Sequence, residues 1–427
     1  MDFPYSLFCI IFFVLTLSIL AIRYINIKSN PVAIFVLCVY LGSAVLSIIE
    51  FVINPVEYPN INLLGYIYLF VVFVICLKPL SNLKNIGDIS SNTSILEINL
   101  LAILVIGLII PSMVLILSEI KDNILGLTVD LSYAYDMYND SAERDIDRNI
   151  NDSLNIVTGL GAVASDWVIF LAAYYSTLAR KNKLINILLW ICCIYPLLSG
   201  ISGGSRAVMT YWVFDLVIAY LLFKPHYSNS VNKAVKRVML IAVLFMFSVM
   251  AALTVGRFTS GAYQGGNYVG SSIVSYTGQS TLNFDQYALD NEVYQWGDNT
   301  MPLFRKMVGL EASNNIRERQ TKWGGRMKIQ QGYFYTIFGD ILFDWGPVLS
   351  FALFIFLSLF FLKRTHTTGR IKVEQLYLTY FWATIICNGV FYYSQKSVGG
   401  NWHLISMIFF YFVLIILTRK KTLCLDL

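Results

Sequence analysis

Eleven apolar runs, each near the ~20 residues needed to cross the hydrocarbon of a bilayer, constrain this chain more than any other feature. They fall at about 4–22, 32–54, 61–77, 95–117, 157–179, 184–199, 207–223, 238–256, 338–362, 374–393 and 402–418. The sequence is 57% hydrophobic and 13% charged, against roughly 45–50% and about 25% in soluble domains. A water-soluble core could not absorb that excess without exposing large apolar patches, so lipid is the expected solvent. The fold class this predicts is an all-α polytopic membrane protein of about eleven transmembrane helices. The sixth and seventh runs are short and are separated by Ser199 to Arg206, a stretch holding Gly200, Gly203 and Gly204. A hairpin turning at those glycines is the simplest reading.

Lysine and arginine set the expected orientation. Alternate connections carry eighteen of them, from Arg23 and Lys28 at the first to Arg419, Lys420 and Lys421 in the tail. The intervening short loops hold five: Lys121, Arg144, Arg148, Arg206 and Lys396. The basic side is predicted to be cytoplasmic, with the N-terminus outside and the C-terminus inside. Met1 to Ser6 lacks a positive leader and no small-residue cleavage site follows, so the first span is expected to stay. The net charge of +5 follows from this loop distribution and carries no nucleic-acid signal. Seven cysteines lie in apolar stretches or the tail, which predicts no disulfide framework.

Three regions result: residues 1–256 with eight spans, a long external loop at 257–337, and residues 338–427 with three spans and a tail. An acidic external segment at about 118–156 carries Asp130, Asp136, Asp140, Glu143, Asp145, Asp147 and Asp152 and reads as a solvated surface or an interfacial helix. The 257–337 loop is far longer than a bundle connection needs. It is also too aromatic for disorder. Within it, Tyr276, Asn283, Tyr333 and Tyr335 belong to an aromatic and amide-rich pattern that suits sugars, whose C–H faces stack on rings while their hydroxyls need polar partners. Protein contact surfaces share that composition.

The loop ends in Arg305, Lys306, Arg317, Arg319, Lys322, Arg326 and Lys328. Ordinary ion pairing or lipid headgroups account for the lysines and Arg319. Arg206 and Arg257 stand at span boundaries, where a guanidinium without a partner would be costly, and so point to function. A planar guanidinium matches phosphate oxygens and keeps its proton. Asp166 and Asp215 fall mid-span, whereas Asp340 and Asp344 share one helix face near the outer end of the ninth run. Catalysis, proton relay and a structural helix-terminus role are all open to them. His403 is the external imidazole, following Gly399-Gly400-Asn401-Trp402. No Walker motif, HExxH, His/Cys ligand cluster or G-x-S-x-G elbow is present, so neither a cofactor nor metal dependence is expected.

Taken together, these residues resemble the Wzy-type oligosaccharide repeat-unit polymerases. The resemblance rests on Ser202 to Ala207 leading into a span, Arg257 after the eighth span, the Ser275–Tyr287 stretch, and Tyr333 to Asp340 followed by Asp344-Trp345-Gly346. It covers roughly residues 180–400. It implies a GT-C-like helical bundle in the bacterial inner membrane, with undecaprenyl-diphosphate-linked oligosaccharide as both donor and acceptor. A chain-length regulator and a flippase would be its pathway partners. Arg206 and Arg257 match positions expected to hold the diphosphate, Arg326 less closely; Asp344, Asp340 and His403 are the expected bases. An O-antigen ligase, a lipid-linked sugar flippase or transporter, and a non-catalytic assembly partner are the alternatives.

Overall fold

In the computed structural model, residues 3–81, 89–90, 94–129, 153–259, 268–328, 334–365 and 370–419 are described. Among them, ten helices are long and apolar enough to cross a membrane, consistent with an all-α polytopic membrane protein. The tenth expected run, at 374–393, forms a helix of only 16 residues, Val373–Asn388. At 1.5 Å per residue it spans about 24 Å, short of the ~30 Å hydrocarbon thickness. The chain separates into two compact units: residues 1–87, 270–369 and 381–404 form the first, and residues 88–269, 370–380 and 405–427 form the second.

The second unit contains α4 (Ile95–Val129), α5 (Ser153–Thr177), α6 (Lys183–Cys192), α7 (Tyr195–Ser202), α8 (Arg206–Phe223) and α9 (Asn229–Thr259). A capping box opens α4: Ser94 Oγ accepts from Glu97 N, and the Glu97 carboxylate accepts from Ser94 N. Where α4 meets α5, Ser112 Oγ donates to Val157 O at 2.7 Å. The glycines between α7 and α8 supply the turn, with Gly204 at φ 57° and Ser205 N bonded back to Gly200 O. Two residues of parallel pairing, Ile89–Ser90 with Ile371–Lys372, join distant parts of this unit.

The first unit contains α1 (Phe3–Asn26), α2 (Pro31–Ile53), α3 (Leu63–Ser81), α10 (Tyr268–Tyr287), α11 (Pro302–Met307), α12 (Ile316–Trp323) and α13 (Thr336–Thr365). The C-terminal part of α14 (Val373–Asn388) and the start of α15 (Val398–Arg419) complete it. Asn30 caps α2 by accepting from Val32 N, with Pro31 at the first helical position. The 257–337 segment is largely folded here: α10 lies against α2, where Ser43 Oγ donates to Thr277 O at 2.7 Å. A Cβ on Gly278 would stand 2.7 Å from Leu46 O, so that crossing requires glycine.

The run at 338–362 is not one straight span. Gly346, at φ 73° and ψ 168°, interrupts α13 just before Pro347, and the chain folds back on itself. Ser350 Oγ donates to Ile341 O, and the Phe338 and Phe354 rings meet at 5.1 Å. The second half then runs beside α3, with Tyr68 Oη donating to Pro347 O and Ser358 Oγ to Ile75 O. The first half starts deep in the unit, where Tyr40 and Phe73 surround Phe338. Its leading N–H groups need partners. They find them in the irregular segment after α14: Thr336 N donates to Phe391 O and Ile337 N to Gly389 O. Two interrupted helices thus complete each other.

Replacing Gly389 tests that join. Its Cβ would lie 2.5 Å from Ile337 Cγ2 and 2.9 Å from Ile385 O. Gly389→Ala is expected to cost about 1–3 kcal/mol of stability in detergent, with partial rescue by Ile337→Ala; thermal unfolding measures both.

A second test concerns Asp285 on α10, which is 2% exposed and accepts from Asn62 N before α3. Burial pushes its carboxyl up to about 8, against the opposing pull of backbone donors at Asn62 and Tyr66. A folded value above the unfolded ~4 means that the protonated form is the stabilising one. That contribution is complete below about pH 4 and lost as pH rises through about 8. The thermal midpoint should therefore fall between pH 5 and pH 9, and Asp285→Asn should shrink the difference.

Candidate functional site

Asp340 and Asp344 stand one turn apart on the first half of α13, 2% and 0% exposed. Carboxylates at that depth need donors, since burial without them costs several kcal/mol. The long loop supplies them. Asn299 N donates to Asp344 Oδ1 at 3.1 Å and Thr300 N to Oδ2 at 2.6 Å, joined by the Thr300 hydroxyl. Asp340 takes Asn299 Nδ2 at 3.0 Å, Tyr393 N at 2.7 Å and the Lys396 ammonium at 3.0 Å. Asn401, fully buried on α15, ties the same strand down: it accepts from Leu303 N and donates to Thr300 O and Gln395 O. The half-helix ends on the loop as well, because Gln295 N and Trp296 N donate to Phe343 O and Asp344 O.

A second layer sits beside the first. Asp298 accepts from Ser313 N and Oγ and from the Trp323 indole at 2.6 Å, and pairs with Lys322 at 3.3 Å. Burial raises its carboxyl, but those donors and Lys322 outweigh it and hold it below the usual range. Its contribution to stability is full above the ordinary ~4 and is lost as pH falls through the lowered value. Arg319 on α12 is 6% exposed and within electrostatic reach of Asp340, Asp344 and Asp298. Burial lowers its proton affinity, and the three carboxylates oppose that. Lys396, its side chain 18% exposed, lies 4.6 Å over the Tyr392 ring. Burial first, and then Arg319, lowers its ammonium against the pull of Asp340. Three carboxylates thus face three cations in a largely dry region.

The residues singled out from sequence divide between the two units. Asp340 and Asp344 belong together in the first, and both are already saturated with protein donors. Asn283 and Tyr335 are interior residues of that unit: Asn283 Nδ2 donates to Phe334 O, and Tyr335 packs edge-on against Phe343. Tyr276 joins an aromatic cluster with Phe334 and Phe391. Arg326 is exposed, and His403 is partly buried on α15. Arg206 opens α8 in the second unit and is partly buried; Arg257 lies on α9 of that unit, its side chain outside the described residues. Tyr333, and most of the acidic 118–156 segment, also fall outside the described residues. Sequence reasoning passed over Lys396, Asp298 and Asn401, and read Arg319 as an ordinary surface pair. One available signal was the lone lysine in Tyr392-Tyr393-Ser394-Gln395-Lys396, close behind an apolar run.

Breaking the Asp340–Lys396 pair from one side strands a charge. Asp340→Asn should cost about 3 kcal/mol of stability, whereas Asp340→Asn combined with Lys396→Met should recover most of it. Thermal unfolding of the three proteins gives the coupling; simple additivity would show that the pair does not hold the segment.

Comparison with family models, with curated proteins and with solved structures finds no match for this chain.

Proposed function

We propose that the chain is a metal-independent membrane glycosyltransferase that joins lipid-diphosphate-linked oligosaccharide repeat units into a polymer on the outer face of a bacterial inner membrane. The observation that carries this reading is the folded loop of the first unit, which a buried network of charges locks onto a membrane half-helix. A rigid, aromatic surface loop of that size is what an enzyme acting on sugars at a membrane face requires. A flippase gains little from it.

Glycosyl transfer at such a site breaks the bond between the donor's anomeric carbon and its diphosphate oxygen. It forms a bond from that carbon to a hydroxyl oxygen of the acceptor. The lipid diphosphate leaves with the electron pair, and the hydroxyl proton passes to a base. Guanidinium groups stabilise a developing diphosphate charge, the role that the family resemblance implies for Arg206 and Arg257. Asp340 and Asp344 spend their lone pairs on protein donors, so they act as positioning residues. That leaves His403 as the base among the three candidates, a role an imidazole nitrogen can fill.

One observation favours a transporter. Asp166 on α5 and Asp215 on α8 lie within electrostatic reach of the buried Tyr380, a polar group inside the second unit that suits a proton path.

The two readings part in cells. Deleting the protein should leave surface glycans with a single repeat unit, and wild type should restore a ladder that Arg206→Ala, expressed at matched level, does not. Loss of all surface glycan would favour the flippase, and an unchanged ladder would remove the polymerase reading.

A further inference from the structure

Trp296 is an anomaly that the charged network does not explain. Its backbone sits at φ 52°, followed by Gly297 at φ 87°. The left-handed region costs a bulky residue of order 1–3 kcal/mol and persists only where the surroundings impose it. They do so here from both sides: Trp296 N donates to Asp344 O at 2.9 Å, and the Arg305 guanidinium donates to Trp296 O while also gripping Glu311 O. The strain does not serve burial, since the indole is left 53% exposed.

The neighbours are equally constrained. The Trp296 ring meets Trp345 at 6.2 Å and Tyr294 at 6.5 Å, both at 89°. Each flanking ring is seated on a glycine. Tyr294 lies over Gly346, where a Cβ would approach its ring to 3.0 Å, and Trp345 lies over Gly297, where a Cβ would come within 3.4 Å. The Trp345 Nε1–H is buried with no hydrogen-bond partner, a donor that is costly to leave unmade. Two rings are thus fixed around one half-exposed indole.

We propose that Tyr294, Trp296 and Trp345 form a sugar-binding subsite of the loop, in which a neutral pyranose ring stacks on Trp296 with Tyr294 and Trp345 at its flanks. Stacking uses the apolar C–H face of the sugar, while the flanking rings limit its rotation. The strained backbone holds the indole in place before the ligand arrives, which lowers the ordering cost of binding. This deepens the glycosyltransferase reading and rests on it for the substrate: the subsite would hold one sugar of the acceptor or growing chain beside the residues that anchor the loop.

The test is binding, which needs no turnover. Full-length protein in lipid nanodiscs is presented with neutral gluco- and rhamno-oligosaccharides of graded length, and saturation-transfer NMR reports contact. Wild type should bind, Trp296→Tyr should bind comparably, and Trp296→Gly should bind about tenfold more weakly. Because glycine accepts φ 52° freely, Trp296→Gly should keep or raise the thermal midpoint, whereas a structural tryptophan would lose stability. Absence of saturation transfer to any wild-type sample overturns the subsite. So does equal binding by Trp296→Gly, or quenching of Trp296 by brominated lipid, which would make it a headgroup anchor. If binding behaves as stated but deletion leaves the cellular ladder intact, the sugar site stands and the polymerase reading falls. If deletion collapses the ladder while Trp296→Gly binds and elongates normally, the subsite alone falls.

Discussion

A carboxylate carried into a membrane protein's interior must be met by donors, and Asp340 and Asp344 impose that requirement on everything around them. Neither can be left bare, because an unpaired buried charge costs several kcal/mol, a large part of the margin by which a protein stays folded. The loop strand at 299–300, the irregular segment at 393–396 and the start of α15 therefore converge on one half-helix. The break at Gly346 makes this possible, since it returns the chain and leaves a short helix whose ends are satisfied by loop backbone. Each interrupted element is viable only with the others in place.

That mutual dependence has a functional consequence. A surface loop tethered by a few exposed contacts would sample many arrangements, and each would have to be suppressed when substrate binds. Here the loop is fixed from beneath by charge and from the side by Arg305, so the groups it presents are preorganised. Saturated aspartates make poor general bases, yet they are good at holding other groups still. In the proposed function the first unit supplies that rigid surface.

Much of the fold was legible because lipid enforces length and apolarity: the runs at 4–22, 32–54 and 95–117 correspond to α1, α2 and α4. The glycine turn before Arg206 was legible for a similar reason, since a chain can reverse there at little steric cost. Hydropathy failed where helices break inside the apolar zone. The run containing Gly346-Pro347 averages as apolar despite its two aspartates, and that averaging hides the reversal. The i, i+4 spacing of Asp340 and Asp344 correctly placed them on one face, but nothing local identified Asn299, Thr300 and Lys396 as their partners. Those contacts span 41 to 56 residues of chain and depend on tertiary folding. The strained backbone at Trp296 was invisible for a different reason: positive φ at a tryptophan is set by its surroundings and leaves no trace in composition.

The most direct test of the account is elongation by the purified protein. Full-length chain in proteoliposomes, given a lipid-diphosphate-linked oligosaccharide as the only substrate, should convert it to products of two and more repeat units and release lipid diphosphate in step. Arg206→Gln and His403→Gln, folded to the same thermal midpoint, should give neither. Movement of the lipid-linked oligosaccharide across the bilayer with no new glycosidic bond would contradict the central claim and place the protein among transporters.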